Sequence, residues 1–123
     1  MSEPRDIISH KVNGLNEALT VTAVDEPGPG GANHKYQITA GEDQAVLGEV
    51  SFQKGPIKEA GVNGISNESL LAIVMDRLTG FQSGDFANED NAQALEYLKL
   101  ALDALHKRTK DRIARGVEGA LVA

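Results

Sequence analysis

The chain has 123 residues, of which 41% are hydrophobic, and this composition suits one compact globular domain rather than a disordered segment. It contains no cysteine, which excludes a disulfide scaffold, a thiolate zinc site and a cysteine nucleophile. The formal net charge of −6 disfavours a protein whose whole surface binds nucleic acid.

The first half of the chain predicts three strands of an antiparallel sheet. Leu19–Val24 is rich in β-branched residues, and His34–Ala40 and Ala45–Gln53 follow it on either side of a glycine turn. Gly48, inside the third strand, predicts a bulge or a close approach of another backbone segment. Residues 1–15 are expected to form a tail before the sheet.

The second half predicts two helices that pack as an antiparallel hairpin. Ser66 or Asn67 can cap the first helix, and Gly80 is expected to end it. Asn88 can cap the second helix, whose pattern continues to Arg115. The predicted buried stripes are Leu70, Leu71, Val74 and Leu78 in the first helix, and Leu95, Leu98, Leu102, Leu105 and Ile113 in the second.

Strands followed by helices predict the α+β class, with an N-terminal small antiparallel β-sheet followed by a C-terminal antiparallel helical hairpin. We expect a single domain, with a sheet part at 16–65, the hairpin at 66–116 and a C-terminal tail at 117–123. No segment approaches the roughly 18 apolar residues of a membrane helix, and the N-terminus lacks the apolar run of a signal peptide. A soluble, intracellular protein is therefore expected.

The sequence gives no positive support for an enzyme or a metal site. The three histidines are scattered without a metal-binding spacing, so neither a metal nor another cofactor is expected. The glycine-rich segment 28–35 fails the P-loop pattern, because Lys35 has no glycine before it and no Ser or Thr after it. Its small residues either form a mobile turn or allow the backbone to close over a ligand.

The local charge reverses to +4 at residues 107–115, where five Lys and Arg side chains accompany one Asp. Lys107 and Lys110 are expected on the solvated far side of the helix. Three arginines share a strip beside the leucine stripe: Arg108, Arg112 and Arg115. Guanidinium groups in that position can bind phosphate or stack on a base, although such a cluster can also simply complement the helix dipole.

Several segments resemble a family of phage proteins. The run RTKDRIARGVEG at residues 108–119 is one, and NGISNESLL at 63–71 with GFQSG at 80–84 is another. NEALT at 16–20 and GANHKY at 31–36 extend the similarity, which covers residues 13–119. The chain thus resembles the Thoeris anti-defence sponge proteins, which are related through the helical hairpin to the anti-CBASS cyclic-oligonucleotide sponges.

The resemblance implies a non-enzymatic protein that sequesters the cyclic nucleotide signals of bacterial immune enzymes. The implied ligands are glycocyclic ADP-ribose and cyclic di- and trinucleotides. The implied assembly is a homodimer or homohexamer in the cytoplasm of the infected bacterial host.

The candidate ligand-binding residues are Phe81, Asn91, Arg108, Arg112, Arg115, Asn33 and His34. By similarity, Phe81 would stack on a base, Asn91 would hydrogen-bond the ligand, and Arg108 and Arg112 would stack or hold pyrophosphate. The segment that holds Asn33 and His34 would form a lid or wall. From the residues alone, Phe81 equally suits a core position at the hairpin corner, and Asn91 a capping or interface position.

If the residues implied by the resemblance touch one ligand, helix geometry predicts that the site is shared between two chains. Asn91 and Arg108 are 17 residues apart, which one helix spans in about 25 Å. Since one small nucleotide cannot bridge that distance, an antiparallel two-fold dimer would have to join the two ends. Two other functions stay open: a small phage protein that binds nucleic acid through the arginine strip, and an enzyme that hydrolyses the signal.

Overall fold

A computed structural model describes residues 4–116, so the predicted C-terminal tail at 117–123 lies outside the described residues. The strands are β1 (Arg5–Ile7), β2 (Leu19–Ala23), β3 (Lys35–Ala40) and β4 (Ala45–Ser51). The helices are α1 (Gly14–Ala18), α2 (Ile57–Ala60), α3 (Asn67–Gln82) and α4 (Glu89–Ala114), with a short 3-10 turn at Pro29–Gly31. The predicted α+β class, with a sheet followed by helices, is confirmed.

The strands form one antiparallel sheet in the order β1-β2-β3-β4. The three predicted strands are present within two residues of their expected ends, but the sheet has a fourth strand, β1. Arg5, Asp6 and Ile7 pair with β2, so part of the expected tail at 1–15 belongs to the sheet. A strand of three residues is too short to show an alternation of polar and apolar side chains. Strand β1 is defined by its pairing with β2 and not by its own sequence.

The bulge expected near Gly48 is present in β4. Ile38 pairs with Gly48 and Thr39 with Val46, so Leu47 is the extra residue on the bulged strand. An added Cβ at Gly48 would lie 3.9 Å from the Ile38 side chain, an ordinary contact distance.

The end of β4 is held by a close backbone crossing with the segment that leads to α3. The Gln53 amide donates to the Ile65 carbonyl at 2.8 Å, and the Ile65 amide donates to the Ser51 carbonyl at 2.9 Å. Asn63 adds a paired contact, donating from its side chain to the Lys54 carbonyl and accepting from the Lys54 amide, both at 2.8 Å. Gly64 lies inside this crossing, where an added Cβ would be 2.4 Å from the Phe52 carbonyl carbon.

Helix α3 begins as predicted and ends later than predicted. Ser66 is its N-cap and exchanges hydrogen bonds with Ser69 in a capping box. Gly80 does not end the helix, because it keeps helical geometry and the chain continues to Gln82. Ser83 closes the helix instead, with its hydroxyl donating to the Gly80 carbonyl at 2.7 Å.

Helices α3 and α4 pack against each other as the predicted hairpin. Their less exposed positions repeat at intervals of three and four residues, the spacing of a coiled-coil seam. In α3 the seam positions are Glu68, Leu71, Met75, Leu78 and Gln82. Ser69 and the expected Leu70 are also less exposed, whereas Val74, which is 46% exposed, lies off the expected stripe. In α4 the seam positions are Asn91, Leu95, Leu98, Leu102, Leu105, Thr109 and Arg112, with Ala94 also less exposed, whereas Ile113, expected on the stripe, is exposed.

The contacts divide the chain into two compact units. One contains the residues up to Gly55 together with Val62–Ile65, and the other contains Pro56–Gly61 and the residues from Ser66 onward. The sheet therefore belongs to the first unit and the hairpin to the second. None of the helices described between residues 4 and 116 has the length and apolar character needed to cross a membrane.

Gly64→Ala is expected to destabilise the protein by about 1–3 kcal/mol, because its Cβ would collide with the backbone of Phe52 and Gln53. Gly80→Ala is the matched control. An added Cβ at Gly80 meets no atom within 4 Å, and alanine favours a helix interior, so stability should stay equal or rise by about 0.5–1 kcal/mol. Urea unfolding followed by circular dichroism measures both. Equal midpoints for Gly64→Ala and the wild type would contradict the close crossing.

Candidate functional site

Four of the five candidate residues of the hairpin lie at the two ends of a single long helix. Helix α4 runs without interruption through 26 residues, a length of about 39 Å. Asn91 lies in its first turn, and Arg108, Arg112 and the capping residue Arg115 lie at its other end. The structure thus brings the three arginines together and separates them from Asn91 by the length expected from the sequence.

The loop end of the hairpin is fixed by amide side chains. The Asn88 side chain accepts from the Asn91 amide at 2.8 Å and caps α4. Gln82 holds the backbone of Asn88 from both sides, accepting from its amide and donating to its carbonyl, each at 3.0 Å. Asn91 is half-buried at the first position of the α4 seam, so the start of this helix is a rigid platform for its side chain.

Phe81 lies in the last turn of α3 at this same end of the hairpin. Its side chain is 38% exposed, so the aromatic ring is accessible to a ligand and is not enclosed in a core. The guanidinium carbon of Arg77 lies 5.1 Å from the ring centroid, one helical turn earlier. A guanidinium group over the ring favours this orientation of the side chain.

The C-terminal end of α4 carries an open groove with a volume of about 620 Å³, here called the arginine groove. It is lined by Lys107, Arg108, Asp111, Arg112 and Arg115, with Ala104 and Ala114. Four of these side chains are cationic and one is a carboxylate. In the described part of the chain, this groove gathers the positive charge that the sequence concentrates at residues 107–115.

Arg112 differs from its expected place beside the leucine stripe. It is 7% exposed and continues the α4 seam. The physical reason is the spacing of the seam, which repeats every 3.5 residues and therefore drifts around a helix of 3.6 residues per turn. Over two and a half heptads from Leu95 this drift carries the stripe onto Arg112. Arg108 and Arg115 remain exposed.

Lys107 is solvated as expected, with a largely exposed side chain. It also lines the arginine groove, where its ammonium lies 3.5 Å from the Asp111 carboxylate. Both side chains are largely exposed, so this ion pair adds little to stability. Neither Lys107 nor Asp111 was predicted as a candidate, although their spacing of four residues on one helix places them side by side.

The other two candidate residues, Asn33 and His34, belong to the sheet unit. Their segment is tied to Asp25, whose carboxylate accepts from the His34 amide at 3.0 Å and the Lys35 amide at 3.1 Å. The Asn33 side chain donates to the Asp25 carbonyl at 2.6 Å and accepts from Arg5 at 2.7 Å. Asn33 is thus occupied in holding the loop between β2 and β3.

The imidazole of His34 packs beside the glycine-rich turn. An added Cβ at Gly28 would lie 3.0 Å from the His34 ring and 3.6 Å from the Lys54 side chain, so Gly28 permits a close approach. The Nδ1 atom of His34 is buried and has no hydrogen-bond partner among the residues that the structure describes.

Asp25 is the electrostatic centre of this loop. Burial by itself raises the pKa of its carboxyl, but hydrogen bonds from the Lys35 and His34 amides and the Asn33 side chain outweigh that effect and lower the pKa. A lowered pKa means that the folded loop favours the carboxylate, so its contribution to loop stability is present above the unfolded pKa. That contribution is lost as the pH falls through the folded pKa.

The described residues form no group of three or more His, Asp or Glu side chains arranged to hold a metal ion. The chemistry that the arginine groove offers is recognition of an anion by guanidinium and ammonium groups, with one carboxylate as a hydrogen-bond acceptor.

Comparison with known proteins establishes the family. The model of the hairpin domain described as Acb2/Tad1 matches residues 45–110, more than half of the chain. The chain therefore belongs to the Acb2/Tad1 hairpin-domain family, and the family expected from the sequence motifs is confirmed. The matched range covers β4, all of α3 and most of α4, including Phe81, Asn91 and Arg108.

One relative is a phage protein named Thoeris anti-defense 1, from Bacillus phage SBSphiJ7. The two sequences are 45% identical over 89 residues, which make up 72% of this chain and 62% of that protein. The chain therefore matches less than two thirds of the length of this relative.

Asp25→Asn is expected to loosen the β2–β3 loop, because the amide cannot reproduce a charged acceptor for two backbone amides. Hydrogen exchange at the His34 and Lys35 amides should be faster in this variant at neutral pH. In the wild type the same protection should be present above about pH 4 and fall as the pH drops through the lowered pKa.

Asp43→Asn, in the turn between β3 and β4, is the matched control and should leave these two amides unchanged. Equal protection of His34 and Lys35 in Asp25→Asn and the wild type at neutral pH would contradict the role assigned to Asp25.

Proposed function

We propose that this protein is a phage anti-defence protein that binds and sequesters cyclic nucleotide signals without cleaving them. The observation that carries the proposal is the arginine groove, a concentrated cationic site on a chain of net charge −6. A focused positive site on an acidic body suits a small anionic ligand, whereas a nucleic-acid polymer would meet repulsion from the surrounding surface. Family membership and the name of the phage relative support the same class.

The proposed ligands are glycocyclic ADP-ribose and cyclic di- or trinucleotides. Arg108, Arg112 and Arg115 would bind the phosphates, because planar guanidinium groups match two phosphate oxygens at once. Arg112 contributes most to rigidity, since it is buried in the seam, whereas Arg108 and Arg115 reach into solvent. Phe81 would stack on a base, and Asn91 would hydrogen-bond the ligand.

Each binding site would be built from two chains. The unbroken helix α4 keeps Asn91 and Arg108 about 25 Å apart within one chain. In an antiparallel two-fold dimer, the Phe81 end of one chain would meet the arginine groove of its partner, and two equivalent sites would result. A homodimer is the smallest such assembly, and a homohexamer could be built from three of these dimers.

Exposed apolar side chains on the single chain support self-association. The hairpin exposes more than half of Ile73, Tyr97, Leu100 and Ile113, and in the described part of the chain Ala23 is the one fully buried hydrophobic residue. Apolar surface on this scale is typical of chains that bury it against a partner. Asn33 and His34 would act as a wall of the site only if the assembly places the β2–β3 loop beside the ligand.

The composition of the arginine groove favours binding over catalysis. The cationic lining side chains donate hydrogen bonds to phosphate oxygens and carry no acceptor of their own. Among the described lining residues Asp111 is the one carboxylate, and it forms a weak, exposed ion pair with Lys107. This set of groups suits the binding of a pyrophosphate, and an enzyme that hydrolysed it here would have to use Asp111 as its base. The protein would act in the cytoplasm of the infected bacterium, where the signal is produced.

Sequestration requires tight binding, because the protein competes with the immune effector for each signal molecule. Nanomolar affinity corresponds to about −12 kcal/mol. Two arginine contacts at about 1.5–3 kcal/mol each and one stacked base at about 1–3 kcal/mol supply part of this. Enclosure between two rigid helix ends would supply the remainder by lowering the entropy lost on binding.

Titration calorimetry with purified protein is expected to show tight binding of glycocyclic ADP-ribose or a cyclic di- or trinucleotide, and heating the complex should release the ligand intact. Arg108→Ala should weaken binding at least roughly tenfold, since it removes a charge-assisted contact. Lys110→Ala, a cation on the same helix outside the arginine groove, is the control and should leave binding unchanged. Recovery of a linear product, or binding of RNA or DNA that weakens steeply with salt, would contradict sequestration.

A further inference from the structure

Asp111 is an unexpected residue in a groove proposed to bind phosphates. It lines the arginine groove together with four cationic side chains. A carboxylate repels any anion that enters the same cavity, so for an inorganic anion its presence weakens binding. The cationic side chains alone would be sufficient to bind phosphate. The presence of Asp111 therefore indicates a ligand that carries a second recognisable group besides its negative charge.

The ion pair with Lys107 leaves Asp111 available to a ligand. Lys107 approaches one carboxylate oxygen, Oδ2, at 3.5 Å, and the two side chains are 80% and 61% exposed. An exposed pair with this separation is weak, and a lysine placed before its acidic partner has the less favourable orientation on a helix. The contact with Lys107 uses Oδ2, and Asp111 lines the groove with its side chain largely exposed, so a carboxylate oxygen remains available as an acceptor.

We infer that Asp111 is a specificity determinant that accepts a hydrogen bond from a neutral donor of a nucleotide whose phosphates bind the neighbouring arginines. This inference rests on the proposed function. An ionised carboxylate can only accept, and nucleotides carry two kinds of neutral donor, the ribose hydroxyls and the exocyclic amine of adenine. A groove that holds both cations and a carboxylate selects a ligand with two groups, an anionic group and, a few ångströms from it, a hydrogen-bond donor. Inorganic anions lack the second property.

The charge and the acceptor role of Asp111 have opposite effects on two probes, and Asp111→Asn separates them. The variant should bind inorganic pyrophosphate about twofold to fivefold more tightly, because a repulsive charge is removed. It should bind glycocyclic ADP-ribose roughly tenfold more weakly, because a charge-assisted hydrogen bond becomes a neutral one. Asp103→Asn, the same change on the same helix outside the groove, should alter neither affinity.

Two ligand counterparts identify the donor in calorimetric titrations of the full chain. One is glycocyclic ADP-ribose stripped of its free ribose hydroxyls, and the other carries hypoxanthine instead of adenine. The counterpart that lacks the donor keeps its phosphates, so like pyrophosphate it should bind Asp111→Asn about twofold to fivefold more tightly than wild-type protein. If Asp111→Asn shifts pyrophosphate and glycocyclic ADP-ribose in the same direction, or weakens all three nucleotides equally, the inference is overturned. If wild-type protein binds no cyclic nucleotide at all, the proposed function fails first, and this inference fails with it.

Discussion

The unbroken length of α4 is the constraint on which the rest of the structure depends. A helix of 26 residues holds its two ends about 39 Å apart, and no side-chain movement closes that distance. The Asn88 cap and the two hydrogen bonds between the Gln82 side chain and the Asn88 backbone fix one end of α4. The other end carries the arginine groove. In the proposed complex each ligand therefore needs the start of one α4 and the end of another.

The hairpin seam links stability to recognition. Its spacing of 3.5 residues carries leucines along most of α4 and then places Arg112 at the next seam position. Packing limits the rotamers of the buried Arg112 side chain before any ligand binds, so this side chain is preorganised. The neighbouring residue, Asp111, provides the one side-chain hydrogen-bond acceptor among the described residues that line the groove. The proposed selectivity thus depends on side chains that helix packing has already arranged.

Local patterns were sufficient for most of the fold and for only part of the site. β-branched strands, the caps at Ser66 and Asn88 and the leucine stripe are local signals, and the structure follows them. Strand β1 depends on its pairing partner, and the continuation of α3 past Gly80 depends on Ser83, so neither was evident from its own residues. Arg112 was misplaced because an ideal helical wheel ignores the drift of a coiled-coil seam. The contacts between Lys107 and Asp111 and between Arg77 and Phe81 could have been predicted from their spacing of four residues on one helix.

Mixing two binding-deficient chains tests the shared site most directly. Arg108→Ala and Phe81→Ala should each bind at least tenfold more weakly alone, whereas a refolded equimolar mixture should recover wild-type affinity at about a quarter of the sites, because half of the dimers are mixed and each has one intact site. A mixture of Arg108→Ala and Arg112→Ala, both altered at the same helix end, should recover none. Calorimetric stoichiometry with glycocyclic ADP-ribose gives the number of sites. No recovery in the first mixture, with mixed dimers verified by mass spectrometry, would contradict a site built from two chains.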